Sequence, residues 1–325
     1  MSRSHEASFP CISVIIPARN EESGIGNVVR AVVNQCPSSS DLEVIVVDDG
    51  STDRTAGAAS AAGARVIRTG KDGPSGNPGA ARNQGAASSI GDPLIFLDAD
   101  CLVEKGWLEA ILSAHSRGEI VVGGSLEMPE GLSFTARCDY YCGWYLVHPM
   151  RQAGVVPHHP PPNLSVRRDA FLKTSGFSDQ PPLDYTNEER VWQSELRGRG
   201  HRIYFEPKAV AFHYNRPGFG NLLRRNYRWG YTAIESKSQT GVARMAWLYR
   251  YPTLLIAVAP LLAVAHTIYI LGCWVRAGRF EPIVMLPVIF LSRIAYMLGM
   301  AMGGIQWIRY RRSPSTGQRP RPRWR

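Results

Sequence analysis

Three continuous apolar runs, separated by longer stretches of helical period, constrain this 325-residue chain more than any other feature. Cys11-Ile-Ser-Val-Ile-Ile16, Leu42-Glu-Val-Ile-Val-Val47 and Leu94-Ile-Phe-Leu97 read as strands buried on both faces. Such strands belong to parallel sheets covered by helices. Between the first two, Ile25, Val28, Val29, Val32 and Val33 recur at helical spacing. Asn20 is placed to cap that helix, and Glu21 and Glu22 suit its positive end. Thr52 or Ser51 is expected to open an Ala-rich second helix. A short strand at about Ala64 to Thr69 then leads through a Gly- and Pro-rich loop into a helix running from Gly79 toward Ser89. This alternation predicts an α/β fold with a mostly parallel sheet.

Each run ends in acid: Glu21 and Glu22 after the first, Asp48, Asp49 and Asp53 after the second, Asp98 and Asp100 after the third. Ligands of open α/β sheets bind beyond such strand ends. If Asp98-Ala99-Asp100 continues its strand, alternation aims both carboxylates at one hard cation whose remaining positions go to phosphate oxygens and water. The same triplet also forms ordinary turns, in which short carboxylates bond nearby amides.

Ser13-Val-Ile-Ile-Pro17-Ala-Arg-Asn20-Glu21, Val47-Asp48-Asp49-Gly50-Ser51-Thr52-Asp53, Ala81-Arg82-Asn83-Gln84-Gly85 and Asp98-Ala99-Asp100 resemble, in order and spacing, family 2 of the inverting glycosyltransferases. The resemblance covers roughly Pro10 to Asn215. It implies the Rossmann-like GT-A fold, a nucleotide-diphosphate sugar donor, and a divalent metal, Mg or Mn, bridging protein and diphosphate. It places Pro17 and Glu21 beside the nucleoside, Asp49 on the base, Arg82 near the diphosphate, Asp98 near ribose or metal, and Asp100 on the metal. The chemistry agrees: a nucleobase N–H needs a fixed acceptor, and a leaving diphosphate gains charge that a metal and a guanidinium stabilise. For Arg82 alone, a solvated helix arginine is the plain alternative.

An inverting transfer needs a carboxylate that takes the acceptor proton opposite the leaving diphosphate. Members of the family commonly carry Gly-Phe and then a Glu-Asp pair whose Asp is the base. Here Gly176-Phe177 is followed by Glu188-Glu189, so Glu189 takes the base position with one extra methylene. Asp184 and Glu188 are alternatives, and all three acids are also placed to cap the helix toward Leu196. Adjacent acids raise one another's pKa, which suits a base. The segment from Gly200 to His213 resembles the family's final strand and the histidine after it, a further metal ligand or diphosphate contact in some members. Imidazole suits Mn better than Mg. Asn163 to Phe171 is expected to frame the acceptor pocket. His158 and His159 read as loop residues, and Tyr140 to Tyr145 as core, with the lining of a sugar or prenyl site as the alternative.

Beyond Asn215 the composition changes. Tyr251 to Val275 and Pro282 to Ile308 are each long and apolar enough to span a bilayer. The six-residue connection Arg276 to Glu281 makes them a hairpin with both ends on one side. Pro252, Pro260, Pro282, Pro287 and Arg293 weaken straight spans, so partial insertion and two buried helices are the alternatives. The tail from Arg309 holds seven arginines, and Arg244 and Arg250 precede the first span. That bias puts the sugar-transfer domain in the cytoplasm, at the cell membrane. Phe219, Leu222, Leu223, Tyr227 and Trp229 interleave with Arg224, Arg225 and Arg228, as in an amphipathic helix on an anionic membrane. Processive relatives carry Gln-x-x-Arg-Trp here; Arg225-Asn-Tyr-Arg228-Trp229 lacks the Gln, which argues for single transfers.

The formal charge of +10 gathers near these segments and reads as membrane affinity, with no nucleic-acid partner. Residues 1–10 are short and polar, so no secretory signal is expected there. The six cysteines read as free thiols in a reducing compartment. The expected division is an extension over 1–9, a GT-A domain over 10–215, an interfacial segment over 216–250, two spans within 251–308 (about 251–275 and 282–308) and a tail over 309–325. The expected activity is transfer of a sugar to a hydroxyl of a lipid or lipid-linked acceptor. Two rival classes are a retaining or nucleotidyl-handling enzyme on the same fold, and a catalytically silent membrane-associated binding protein.

Overall fold

The computed structural model describes residues 9–36, 40–69, 76–180, 186–240 and 251–312. Along the chain come β1 (Cys11–Ala18), α1 (Ile25–Val33), β2 (Asp41–Asp48), α2 (Thr55–Ala61), β3 (Arg65–Arg68), α3 (Pro78–Ser88), β4 (Leu94–Leu97) and β5 (Cys101–Val103). There follow α4 (Trp107–Ser116), β6 (Val121–Glu127), α5 (Phe134–Gly143), β7 (Gly154–Val156), β8 (Asn163–Val166), α6 (Arg168–Leu172), α7 (Arg190–Gly198) and β9 (Ile203–His213). The C-terminal part is helical: α8 (Phe219–Thr240), α9 (Pro252–Ala257), α10 (Ala259–Arg276), α11 (Glu281–Val284) and α12 (Leu286–Arg312).

The strands form one sheet in the order β3-β2-β1-β4-β8-β6-β9-β5, with β7 also on β9. As the apolar runs predict, β3, β2, β1 and β4 are parallel neighbours. Ile12, Val14, Ile15 and Ile16 of β1 are fully buried, which explains why that run shows no polar alternation. The other half is mixed, because β8 runs antiparallel to β4 and β6, while β5 and β7 run antiparallel to β9. This is the GT-A arrangement of a mostly parallel sheet with flanking helices. In α3, Gly85 lets the helix press on the sheet, since a Cβ there would collide with Ile15 and lie 3.1 Å from Val47 Cγ2.

Local details depart from expectation where loops bond to each other. Asn20 does not cap α1, which begins at Ile25 after Gly24. Its side-chain oxygen accepts from the Thr52 amide at 2.8 Å, while its own amide donates to Ser51 Oγ at 3.0 Å. Likewise α2 starts at Thr55, not after Thr52, because Asp53 accepts from the Thr55 amide at 3.0 Å and the intervening residues bond to the β1–α1 loop. The two strand-end loops are thus stapled together. Val33 ends α1 exposed, whereas Ile25, Val28, Val29 and Val32 are buried.

The C-terminal helices are integral to this body. Tyr140 and Tyr141 are core, as expected, and both pack on Trp274 of α10, whose indole N–H donates to the Tyr141 carbonyl at 2.9 Å. Rather than lying free as an amphipathic surface helix, α8 crosses α12 backbone to backbone. A Cβ on Gly230 would strike the Tyr296 carbonyl, and one on Gly299 or Gly303 would strike the Tyr227 or Tyr231 carbonyl. Gly299 and Gly303 are four apart in an apolar helix, the spacing of small residues at close helix crossings in membranes. Arg293, inside the second apolar stretch, is only 2% exposed and donates to Asn226 Oδ1 of α8. Both stretches break near their starts, at Val258 and Met285, each two residues before a proline. Helices α10 and α12 are long and apolar enough to cross a membrane by length and composition. They expose large apolar side chains, among them Leu261 at 73% and Ile268 at 64%. Arg244, Arg250 and the tail beyond Arg312 lie outside the described residues.

Candidate active site

The site lies where β4 ends. Asp98-Ala99-Asp100 does not continue the strand: the Cys101 amide donates to the Asp98 carbonyl at 3.0 Å, and the chain turns into β5. The turn sends the two carboxylates to different partners. Asp100 meets His213, because β5 pairs with the end of β9 in a register that sets Cys101 opposite His213. The Tyr214 amide donates to the Asp100 carbonyl at 2.9 Å, and the His213 Nε2 to Asp100 Oδ1 separation is 3.6 Å. Asp98 instead meets Arg82, at 2.5 Å.

Arg82 is not a solvated helix arginine. It is 3% exposed, and its second Nη donates to Glu188 Oε1 at 2.7 Å. Burial alone would weaken its charge, but the two carboxylates more than offset that and hold it firmly protonated. It shares one face of α3 with Gly79 and Asn83. Asn83 accepts from the Phe177 amide at 2.9 Å and donates to the Phe177 carbonyl at 2.8 Å, and the Arg82 guanidinium lies 5.4 Å from the Phe177 ring centre. The α3 face therefore fixes the Gly176-Phe177 segment, and the Ser178 amide in turn donates to the Glu188 carbonyl at 2.9 Å.

Glu189 follows, at the N-cap position of α7, yet its side chain makes no capping hydrogen bond. It is buried, and burial raises its carboxyl to about 7; Arg190 opposes the rise and Glu188 adds to it. Glu188 is also raised, first by burial, with Arg82 opposing. Arg190 donates to Asn187 Oδ1 and to His158 Nε2, both at 2.7 Å. His158 and His159 are loop residues as expected; His159 is fully buried and its amide donates to Gln193 Oε1 at 2.9 Å, whereas His158 is half-buried against Arg190. Asp184 lies outside the described residues.

On the other side, Pro17 sits near the end of β1, in register with Val47. Asp49 is buried and accepts from the Asn77 amide at 2.9 Å. Glu21 pairs with Arg216 at 2.5 Å; burial raises its carboxyl, Arg216 opposes, and nearby Asp100 raises it further. The structure thus brings together Asp100 and His213, and separately Asp98, Arg82 and Glu188, along one edge of the sheet. Asp139, Asn215 and Arg216 also reach this edge, and no local pattern in the sequence marks them.

Among the described residues, Asp100, Cys101 and His213 offer ligand atoms within 4.8 Å of one another. The Cys101 thiol is fully buried, and burial and then Asp100 push its pKa well above the ordinary value; as a soft ligand it is the least suited of the three to a hard cation. Carboxylate and imidazole remain, and their 3.6 Å separation needs only a small adjustment for two ligands about 2.1 Å from one ion. The donor set fits a divalent cation.

The description glycosyl transferase family 2 matches residues 13–173. The glycosyltransferase AglE of Haloferax volcanii is 32% identical over 70% of this chain and 75% of its own length. The pre-mycofactocin glycosyltransferase of Mycobacterium tuberculosis is 25% identical over 95% of this chain and 74% of its own. In fold, the chain is similar to the mannosyltransferase PcManGT of Pyrobaculum calidifontis, solved with GDP-Man and Mn2+, at a TM-score of 0.59 and 18% identity over 91% of this chain and 87% of that one. With these likenesses and a sheet of the kind the family resemblance implies, the chain belongs to glycosyl transferase family 2.

Proposed function

We propose that this glycosyltransferase moves a sugar from a nucleoside-diphosphate sugar onto a hydroxyl of a lipid or lipid-linked acceptor, with inversion, at the cytoplasmic face of a membrane. The observation that carries the reading is Glu189: a buried carboxyl that makes no capping hydrogen bond at the start of α7, one residue from a glutamate that Arg82 ties to the end of β4. A carboxyl raised by burial holds an abstracted proton more readily than a solvated one, which suits a general base. In the displacement, the acceptor oxygen bonds to the anomeric carbon, its proton passes to Glu189, and the bond from that carbon to the diphosphate oxygen breaks. Glu188 and Asp184 are the substitutes for this role.

Pro17, Glu21 and Asp49 line the nucleoside side, with Asp49 as the acceptor for a base N–H. Arg82 and Asp98 stand toward the diphosphate and ribose, while Asp100 and His213 would hold a divalent ion. Bound there, the ion would neutralise charge on the leaving diphosphate. The similarly folded mannosyltransferase with GDP-Man and Mn2+ supports this donor class, and imidazole favours Mn over Mg. The exposed apolar faces of α10 and α12 support membrane attachment, and the Arg-rich tail supports the cytoplasmic side.

Membranes carrying the chain, incubated with a panel of labelled nucleotide sugars, should place label in the lipid extract. Label confined to water-soluble product refutes the lipid acceptor. Product that retains the donor's anomeric configuration refutes the in-line displacement.

A further inference from the structure

We infer that Arg225, Asp139 and Asn215 are positioning residues that set the tautomer of His213 and so leave Nε2 bare toward Asp100, ready for a divalent cation. The inference rests on the metal reading above and deepens it. The contacts run in one line. Arg225 of α8 pairs with Asp139 Oδ1 at 2.5 Å and donates to the Asp139 carbonyl at 3.0 Å. Asn215 Nδ2 donates to Asp139 Oδ2 at 2.9 Å, and Asn215 Oδ1 lies 3.0 Å from His213 Nδ1. Asp139, Asn215 and His213 are all buried.

Donor and acceptor capacity fixes every link. A guanidinium only donates, and an ionised carboxylate only accepts. Asp139, neutralised by Arg225, therefore requires the amide of Asn215 to present its NH2, which turns the amide oxygen toward His213. That oxygen only accepts, so Nδ1 carries the ring proton, and in the neutral ring Nε2 is a lone pair. Nε2 then faces the Asp100 carboxylate at 3.6 Å with no hydrogen between two acceptors, an arrangement that a cation satisfies.

The anchor of the line belongs to a helix outside the sheet. The Arg225 guanidinium lies 4.6 Å from the Trp229 ring centre and 5.7 Å from that of Trp144, and Trp144 packs on the His213 ring at 5.0 Å. Gly143 allows this approach, because a Cβ there would stand 2.8 Å from Trp229 and 3.3 Å from the Arg225 guanidinium. The segment Arg225 to Trp229 thus acts on the metal ligand from behind, through α5, and ties it to the α8–α12 crossing.

The test is Mn2+ alone titrated into the purified full chain in detergent, with free Mn2+ read by electron paramagnetic resonance. Asp139→Asn keeps the shape but lets residue 139 donate to Asn215, which then turns its NH2 to Nδ1 and moves the ring proton to Nε2. Asn215→Leu keeps the Arg225–Asp139 pair and removes the acceptor. Each should weaken Mn2+ binding about 10- to 100-fold. Nitrogen NMR of histidine-labelled, metal-free protein should show His213 protonated on Nδ1 in the natural chain and on Nε2 in Asp139→Asn. A natural chain protonated on Nε2, or both variants binding Mn2+ within about twofold of it, would overturn the relay. Should the natural chain bind no Mn2+, the metal reading falls, and the tautomer alone then decides the relay.

Discussion

Arg82→Met probes the buried charge network that joins the two halves of the site. The guanidinium contacts two carboxylates, at 2.5 and 2.7 Å, and both it and the Glu188 side chain are almost fully removed from water. Removing one partner of such a pair leaves the other as an uncompensated buried charge, a loss of about 3–5 kcal/mol. Most of it falls on Glu188, since Asp98 is a quarter exposed and can rehydrate. In the natural chain Arg82 is the chief force opposing the rise that burial imposes on Glu188. Without it the folded-state pKa of Glu188 climbs further above the unfolded value. A carboxyl with a raised folded pKa binds more protons folded than unfolded, so stability falls as pH rises through that window. The deficit of Arg82→Met should therefore be largest near pH 8 and shrink toward pH 5. Thermal melts of both proteins in one detergent, at matched pH values, measure it. A deficit under about 1 kcal/mol at pH 8, or one that grows in acid, refutes the reasoning.

Glu189→Gln should lower kcat by about 10²–10⁴ and leave donor affinity unchanged, and undiminished turnover would exclude Glu189 as base. Because the base must be unprotonated and its carboxyl is raised to about 7, kcat/KM should climb about tenfold per pH unit below that value and level off above it. An acidic limb centred near the ordinary glutamate value would mean that Glu189 is solvated or that another acid serves. Gly303→Leu should force α8 off α12 and cost at least about 1–3 kcal/mol, read as a lower melting temperature and faster proteolysis at α8. Unchanged melting and proteolysis would rule out the backbone crossing.

The parallel half of the sheet was legible because strands buried on both faces leave long unbroken apolar runs, as in Ile12 to Ile16. The mixed half left weaker marks: β5 and β7 have three residues each and β8 has four, too short to carry a period. Family motifs located Arg82, Asp98, Asp100 and His213, but not their mutual arrangement. Strand alternation aimed Asp98 and Asp100 at one ion, whereas the turn after Leu97 gave one to Arg82 and the other to His213. Asn20 has the chemistry of a helix cap, and its bonds to the Ser51-Thr52 loop depend on a neighbour 31 residues away, beyond local reading. Asp139 lies 76 residues before Asn215, so nothing local joins them. Gly299-x-x-x-Gly303, small residues four apart in an apolar run, does not by itself say which helix packs on it. It marks the face that α8 covers. Arg293 reads from sequence as a flaw in a span, and in the structure it is a buried donor to that same helix.

Label transfer into lipid by the purified chain, measured in excess chelator and again after Mn2+ is restored, tests the central claim most directly. Transfer that stops in chelator and returns with Mn2+, but does not return in Asp100→Ala, is the predicted result. Transfer that continues unaltered in excess chelator would contradict it.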